Sequence, residues 1–204
     1  EWFQKSLVIH EKKGSSNYVN IGNLYNWIGN VYADKCELER ALKNYNKAIE
    51  LFRNANDEDH PDMAGFYNNI ANVYYEQKKY TEALDFHKKS LDTKKQHLPF
   101  NHPKIACSHN NIGNVYCDLN KNDLAMEHYQ QSLLIRLKSL PGNHPDIAMS
   151  YRNIGLIHEE KREWKEALEL FEKALRIRQH AFSSQHPDVL QVTADIQRVS
   201  SKLK

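Results

Sequence analysis

Residues 25–32 read YNWIGNVY, and close variants return at 67–74 (YNNIANVY), 109–116 (HNNIGNVY) and 151–158 (YRNIGLIH). Each copy follows the last by 42 residues. Large side chains stand at the first, fourth and eighth positions with a small residue at the fifth, which predicts a helix with one apolar face and a notch. This helix is called helix A. Since one such unit cannot bury its apolar face alone, the copies are expected to stack and share a core.

A second pattern follows each helix A. An alanine stands twelve residues after the notch, a large side chain four residues later and a small one three residues after that. The members are Ala41, Tyr45 and Ala48; Ala83, His87 and Ser90; Ala125, Tyr129 and Ser132; and Ala167, Phe171 and Ala174. This spacing predicts a second amphipathic helix, helix B, in close contact with helix A.

A His-Pro pair recurs at the same period, at His60, His102, His144 and His186. Proline suits the first helical position, the histidine before it is steered into extended backbone, and a following aspartate complements the helix dipole. Repeat one has Tyr18 and Val19 here and repeat three has Lys104 for the aspartate, so helix starts are expected to be less well defined there. The histidines should not share a zinc ion, since layers about 8–10 Å apart cannot converge on one metal.

These residues resemble the tetratricopeptide repeat, a 34-residue pattern with aromatic, Leu/Ile and Gly/Ala on helix A and Ala, aromatic and Ala on helix B. The longer unit, with Asn-Asn-Ile on helix A and His-Pro-Asp before it, is similar to the kinesin-light-chain type of this repeat. The resemblance covers about residues 18–190 and implies an all-α fold, a right-handed α-solenoid superhelix of antiparallel helix pairs. Where that family often has glycine between helix A and helix B, this chain has Cys36, Lys78, Asn120 and Arg162, so another turn geometry is expected.

The period predicts four repeats, at residues 18–59, 60–101, 102–143 and 144–185. Residues 1–12 are expected to be helix B of a preceding, truncated repeat, because Phe3 and Leu7 fall on the positions of Tyr45 and Ile49. Residues 186–204 are expected to form a terminal helix, either a partial repeat or a cap. Ten helices are therefore expected.

Asparagines form two rows on helix A, four residues apart and so on one face. The first row is Asn26, Asn68 and Asn110, and the second row is Asn30, Asn72 and Asn114. In tetratricopeptide proteins these positions line the concave groove, and an amide matches both the N–H and the C=O of an extended backbone. The resemblance therefore implies a peptide-binding groove. The alternative is that second-row asparagines, and the adjacent Asn69, Asn111 and Asn153, brace the helices.

Three further features bear on this groove. Tyr75 is the candidate aromatic contact, with packing between repeats as the alternative. Arg152 takes the first-row position in repeat four and is either an anchor for a carboxylate or phosphate or a solvated surface arginine. A row of acidic residues near the ends of the A helices consists of Asp34, Glu76, Asp118 and Glu160. Neighbouring lysines and arginines make local ion pairing the expectation, whereas a row that faces the groove would favour a ligand with basic residues.

Composition narrows the function classes. The net charge is only +2, with 28 basic and 26 acidic residues interspersed, so a nucleic-acid partner is not expected. No apolar run approaches the roughly 18 residues of a membrane span, and no cofactor, metal or catalytic motif is present, so membrane insertion and enzyme activity are not expected. Three cysteines, odd in number and unmatched to any metal spacing, are expected to be reduced thiols of a cytoplasmic protein.

The expected function is a protein–protein interaction scaffold or adaptor that binds an extended or partly helical peptide segment, of unknown identity, in its concave groove. One alternative is a structural spacer or self-assembly module that associates through the exposed partial repeats at its ends. The other is a substrate-recruiting region of a larger protein whose enzymatic domain lies outside this sequence.

Overall fold

Helices account for nearly all of the chain that a computed structural model describes, residues 18–54 and 59–204. Those residues form α1 (Tyr18–Asp34), α2 (Leu38–Asn54), α3 (Met63–Glu76), α4 (Tyr80–His97), α5 (Pro103–Asp118), α6 (Asn122–Ser139), α7 (Pro145–Glu160), α8 (Trp164–Ala181) and α9 (Pro187–Ser200). The helix predicted within residues 1–12 lies outside the described part. The remaining nine predicted helices are confirmed.

The helices pack in the alternating order that the repeat predicts, within two compact units whose boundary lies between His97 and Leu98. In the first unit α1 packs on α2, α2 on α3 and α3 on α4. In the second unit α5 packs on α6, α6 on α7, α7 on α8 and α8 on α9. Odd-numbered helices α1 to α7 are thus the A helices, and their even-numbered partners are the B helices.

The notch of helix A receives the aromatic ring of helix B. A methyl group added at Gly29 would lie 2.5 Å from the Tyr45 ring, and one added at Gly113 would lie 2.6 Å from the Tyr129 ring. Such distances are far inside van der Waals contact, so only glycine permits this approach at these two sites. The predicted pairing of small and large residues is confirmed.

Three of the four His-Pro histidines cap the helix that follows them. The Nδ1 atom of His144 accepts a hydrogen bond from the backbone N–H of Asp146 at 3.1 Å, and His186 does the same for Asp188 at 3.2 Å. His102 likewise accepts from the N–H of Lys104 at 3.1 Å, and α5 begins at Pro103. The expected weak start of the helix in repeat three is therefore wrong, because the cap bonds a backbone N–H and does not need an aspartate.

Repeat two, which has the full His-Pro-Asp motif, starts its helix slightly later. His60 Nδ1 accepts from the N–H of Asp62 at 3.1 Å, yet α3 begins only at Met63, after a short turn. A complete motif is thus compatible with a delayed helix start.

The turns between helix A and helix B use the left-handed backbone in all four repeats. The φ angles of Cys36, Lys78, Asn120 and Arg162 are 59°, 58°, 55° and 61°. In the first turn, the N–H of Cys36 bonds the carbonyl of Ala33 at 2.8 Å and that of Glu37 bonds Tyr32 at 2.9 Å. This is the pattern by which a helix satisfies its last carbonyls. The expected change of turn geometry is wrong, since those bonds hold the backbone in place without glycine.

Buried arginines join consecutive repeats within the second unit. Arg136, at the end of α6, donates from Nη1 to the Ser150 hydroxyl at 2.7 Å and to the Asp146 carbonyl at 3.0 Å. Arg178, one period later, donates to the carbonyl of Asp188 at 2.7 Å. Each guanidinium therefore ties the end of a helix B to the first turn of the next helix A.

Candidate peptide-binding face of the A helices

Two of the three first-row asparagines, Asn26 and Asn110, accept hydrogen bonds from the next helix A in the same unit. In the first unit, Asn69 Nδ2 donates to Asn26 Oδ1 at 2.9 Å and to Asn30 Oδ1 at 3.0 Å. In the second unit, Asn153 Nδ2 donates to Asn110 Oδ1 at 3.0 Å. The bracing role of Asn69 and Asn153 is thus observed, and the oxygens of Asn26 and Asn110 have partners inside the chain. Asn110 is buried.

Arg152 takes part in a charged version of the same bridge. Its Nε donates to Asp195 Oδ2 at 2.6 Å, and Asp195 is only 3% exposed. Arg198 also donates to Asp195, at 2.8 Å, and to Glu159. The residue predicted to anchor a ligand carboxylate therefore already holds a carboxylate of its own chain.

Two second-row asparagines bond the tyrosine that fills the notch. The hydroxyl of Tyr45 donates to Asn30 Oδ1 at 2.8 Å, and the hydroxyl of Tyr129 donates to Asn114 Oδ1 at 2.8 Å. Burial, followed by the charges of Asp34 and Glu76, raises the pKa of Tyr45 to about 12, so the phenol stays a donor at neutral pH. Asn30 and Asn114 thus contribute to the packing of helix A on helix B.

Repeat two breaks this pattern. Ala71 stands at the notch and His87 on helix B, both buried, and an imidazole has no hydroxyl to donate. Asn72 is exposed and forms no side-chain hydrogen bond with any residue that the structure describes. Its amide is therefore available to a partner, unlike the oxygens of Asn30 and Asn114.

The other two predicted contacts of repeat two are engaged within the chain. Tyr75 is half-buried, and its ring meets the ring of Tyr80, at the start of α4, edge to face with 5.7 Å between centroids. Asn68 is also half-buried and has interactions of its own. The structure therefore places the predicted residues on the A helices but leaves them unequally accessible.

The acidic row is not locally paired, contrary to expectation. Asp34, Glu76, Asp118 and Glu160 are all exposed, and none forms an ion pair with a residue in the described ranges. Basic residues near the row form ion pairs with carboxylates outside it; for example, Lys161 Nζ lies 2.6 Å from Asp123 Oδ1. Each acid follows the second-row position by four residues, so it shares that face of helix A.

Within each unit, the acidic-row carboxylates of two consecutive repeats influence the pKa of the same residue. Asp34 and Glu76 both raise the pKa of Tyr45, and Asp118 and Glu160 both raise the pKa of Cys117, although burial is the larger cause each time. The A helices of each unit therefore carry amide groups and carboxylates that form no ion pair with any described residue. They can accept hydrogen bonds and attract cationic groups.

In the described part of the chain, no group of three or more His, Cys, Asp or Glu side chains is placed to hold a metal ion. Cys36, Cys107 and Cys117 form no disulfide bond with one another. The described helices include none long and apolar enough to cross a membrane.

A comparison with known proteins identifies the family to which this helical repeat protein belongs. The tetratricopeptide repeat model matches residues 20–96 and 104–192, most of the chain. The chain therefore belongs to the tetratricopeptide repeat family, and the predicted all-α tetratricopeptide fold is confirmed. Repeats of this family generally form non-catalytic scaffolds for protein–protein interaction, so a scaffold is the class of function that the fold supports.

Solved structures agree on the fold. BtubC (BKLC) from P. vanneervenii has a TM-score of 0.83 at 18% identity, with 98% of this chain and 79% of that chain covered. A point variant of a Podosopora anserina kinesin light chain with nearly identical TPR-like repeats has a TM-score of 0.76 at 18% identity, with 91% and 87% covered. The apo form of RapI has a TM-score of 0.78 at 22% identity, with 89% and 64% covered. The predicted likeness to kinesin-light-chain-type repeats is confirmed, and no curated protein sequence matches significantly.

Sequence reasoning missed three of the residues that shape this face. The hydroxyl partners Tyr45 and Tyr129 were visible only as large residues of helix B, and Asp195 lies outside the four repeats. A signal did exist for the first two: the second row reads Asn, Asn, Asn, Leu, while the large residues of helix B read Tyr, His, Tyr, Phe. Asparagine beside tyrosine in repeats one and three indicates a bond, and leucine beside phenylalanine indicates its loss.

Proposed function

We propose that the A-helix face binds an extended or partly helical segment of a partner protein, and that Asn72 is its main amide contact. The observation that supports this is the exposed amide of Asn72, which lacks a hydrogen-bond partner among the described residues and is followed one turn later by the exposed Glu76. An amide can pair with a peptide backbone, and the carboxylates favour basic residues in the ligand. The protein would then act as an adaptor.

The other residues predicted to line the groove are part of this proposal, but they would contact the ligand in different ways. The amide nitrogens of Asn26, Asn30, Asn110 and Asn114 are the groups through which those residues would reach a ligand, because their oxygens accept bonds from the chain itself. Asn68, Tyr75 and Arg152 would have to exchange an internal contact for a ligand contact. Free cysteines, two of them exposed, support a cytoplasmic location.

A single substitution separates ligand binding from stability. Asn72→Ala should abolish capture of the partner and leave the melting temperature unchanged, since no described residue bonds this amide. Asn114→Ala is the matched control, because it removes the acceptor of the Tyr129 hydroxyl and should lower stability by about 0.5–1.5 kcal/mol. The readout is cross-linking from a photoreactive residue at position 76, followed by identification of the partner and its affinity by titration.

A second variant tests the same idea by occupying Asn72 instead of removing it. In Ala71→Gly/His87→Tyr, a tyrosine hydroxyl should bond Asn72 as Tyr129 bonds Asn114, so partner affinity should fall while stability holds or rises. Retained binding in both this variant and Asn72→Ala would contradict the proposal. Neutralising Asp34 and Glu76 should weaken binding at low salt, whereas neutralising the exposed Glu172 should not.

A structural spacer is the second candidate, favoured by the amide bridges between successive A helices. In that case the substitutions on the A-helix face would change stability or assembly, and no partner would be cross-linked from position 76. Equilibrium sedimentation of the wild-type protein and of Asn69→Ala distinguishes the two functions.

A further inference from the structure

Two histidine rings meet between α5 and α6 in repeat three. His109 of α5 is 9% exposed, and His128 of α6 is half-buried. Their Nδ1 atoms lie 3.1 Å apart, and the centroids of the rings are 5.1 Å apart. Two neutral imidazoles can form this hydrogen bond only when one ring carries a proton on Nδ1 and the other accepts it. The two Nδ1 atoms therefore point into the same small space.

The histidine pair occurs in this repeat alone. By the 42-residue period, position 109 is tyrosine in the other three repeats, while position 128 corresponds to Asn44, Phe86 and Leu170. In repeat two, Tyr67 and Phe86 meet at these positions with their ring centroids 6.2 Å apart. An ordinary aromatic pair thus fills the place, so packing by itself does not require two facing nitrogens.

Neighbouring rings hold His128 as they hold its counterpart in repeat two. Its ring lies 5.5 Å from that of Tyr116, and the ring of Phe86 lies 5.6 Å from that of Tyr74. Both histidines also stand in the middle of packed helices rather than on loops. The separation of the two Nδ1 atoms is therefore fixed by the scaffold, which is what a binding site for a small ion needs.

The distance between the nitrogens suits a transition metal ion. Imidazole nitrogens bind Zn²⁺ at about 2.0–2.1 Å, so two of them 3.1 Å apart subtend an angle of roughly 100° at the ion. Ligands that are adjacent in tetrahedral and octahedral sites make angles of this size. The ion would lie roughly 1.3 Å from the line that joins the nitrogens, and small rotations of the two rings would turn both lone pairs toward it.

The pair would supply two of the ligands. No third His, Cys, Asp or Glu among the described residues joins it in a metal-binding group, so water would complete the coordination. Because His128 is half-buried, the pair lies close enough to solvent for water to take those positions. Nitrogen ligands favour Zn²⁺, Ni²⁺ and Cu²⁺ over Mg²⁺ and Ca²⁺, which prefer oxygen.

We propose that His109 and His128 together bind a divalent transition metal ion through their Nδ1 atoms. Both rings are neutral in the complex and carry their remaining proton on Nε2, so the proton of the Nδ1 to Nδ1 hydrogen bond moves to Nε2 of its own ring. The ion clamps α5 to α6 and stabilises repeat three, because the unfolded chain does not hold the two rings together. This site does not depend on the proposed A-helix face.

The test is calorimetric titration of the whole chain with ZnCl2 at neutral pH. The wild-type protein should bind one ion at this site with a Kd below about 100 μM. His109→Tyr and His128→Phe introduce the residues of repeat two, and each should weaken binding at least tenfold because it removes one of two protein ligands. In long-range proton–nitrogen NMR spectra, added Zn²⁺ should shift Nδ1 of both rings and leave their protons on Nε2.

Matched controls isolate the site. His97→Tyr and His180→Phe make the same changes at exposed histidines of α4 and α8, and both should bind like wild type. Asn72→Ala should also bind the ion unchanged, so failure here and failure of the adaptor proposal are distinguishable. Circular dichroism checks the fold of each variant, and if one does not fold, the NMR spectra of the wild-type protein decide.

Three results would overturn the proposal: wild-type binding weaker than about 1 mM, full binding by both His109→Tyr and His128→Phe, or bound Zn²⁺ that leaves the Nδ1 resonances of His109 and His128 unshifted. Loss of the ion in His97→Tyr or His180→Phe, with retention in the two pair variants, would assign the metal to surface histidines and would equally overturn it.

Discussion

At the scale of single residues, the helix B side chain that packs into the notch determines whether the second-row asparagine accepts a hydrogen bond within its repeat. Tyr45 and Tyr129 hold the oxygens of Asn30 and Asn114, while Phe171 faces a repeat with leucine in that row. His87 leaves Asn72 exposed. Asn114 and Asn72 occupy the same repeat position, yet they differ in accessibility because only Asn114 faces a tyrosine hydroxyl on the neighbouring helix.

Acid should destabilise the protein through His87. Burial, followed by the charge of Lys94, lowers the pKa of this imidazole to about 4, from an ordinary value of 6.5. The unfolded chain therefore takes up the proton first, so the stability is fully present above about pH 6.5 and is lost as the pH falls toward 4. The expected loss is about 3 kcal/mol.

Urea unfolding between pH 7 and 4.5 measures this effect as the difference between the wild-type protein and Ala71→Gly/His87→Tyr. The paired change removes the titrating group and provides a ring that suits a glycine notch. Parallel pH profiles for the two proteins would show that His87 does not carry the proton linkage.

Glycine at the helix A to helix B turn should stabilise the protein. Lys78 has a φ of 58°, where an L-residue is strained, so Lys78→Gly is expected to raise the free energy of unfolding by about 0.5–1 kcal/mol. Asn120→Gly should gain less, because asparagine tolerates this conformation better. Chemical denaturation gives both values. Lys79→Gly, at the next residue, is the control and should bring no gain.

At the scale of elements, successive A helices of the same unit are joined by one bridge that appears in two chemical forms. Asn153 bonds Asn110 through amides, and Arg152 bonds Asp195 through charges, and each pair is separated by 43 residues. The spacing is one repeat plus one residue, so the bridge joins a first-row residue to the residue that follows the equivalent position in the next helix. The terminal helix α9 thus docks by the same geometry as a helix A.

The charged bridge should be replaceable by the amide bridge. Arg152→Asn or Asp195→Asn alone is expected to cost about 1–3 kcal/mol, because each breaks the charged hydrogen bond between Arg152 and the buried Asp195. The double variant should recover most of that loss, since it recreates the pair formed by Asn110 and Asn153. A double-mutant cycle from urea unfolding measures the coupling, and strictly additive costs would rule out a direct bridge.

At the scale of the whole molecule, stability in a repeat array is a sum of local terms, each limited to neighbouring repeats. The core of the second unit includes Val192 and Val199 of α9, both fully buried against α7 and α8. The core of the first unit is formed separately, around Tyr45, Phe52 and Phe66. A defect in one core should therefore stay close to its origin.

Val192→Asp tests this locality. An unpaired carboxylate at a fully buried site should cost several kcal/mol and speed amide hydrogen exchange in α7, α8 and α9, while α1 and α2 keep their protection. Leu190→Asp, at a position of the same helix that is 49% exposed, should change little. Uniform loss of protection along the chain would mean that the array unfolds as one unit.

The 42-residue period by itself determined the helix pairs, the notches, the family and the placement of six asparagines on one face, because all of these follow from spacing along a helix. It also located the turns, but not their geometry, since the cost of a left-handed lysine or arginine is outweighed by hydrogen bonds that only the folded turn makes. The hydrogen bonds by which the histidines cap their helices could not be predicted either, because they too form only in the folded turn.

Only the tertiary structure decided which of those asparagines remain available to a partner. The deciding bonds join residues 15 to 43 positions apart, from Tyr45 to Asn30, from Asn69 to Asn26 and from Arg152 to Asp195. They depend on side chains that meet across helices, and a periodic pattern treats every repeat as equivalent. Asn72 is the exception because its neighbour on helix B, His87, has no hydroxyl to donate. That these two positions meet is established only when the helices are packed together.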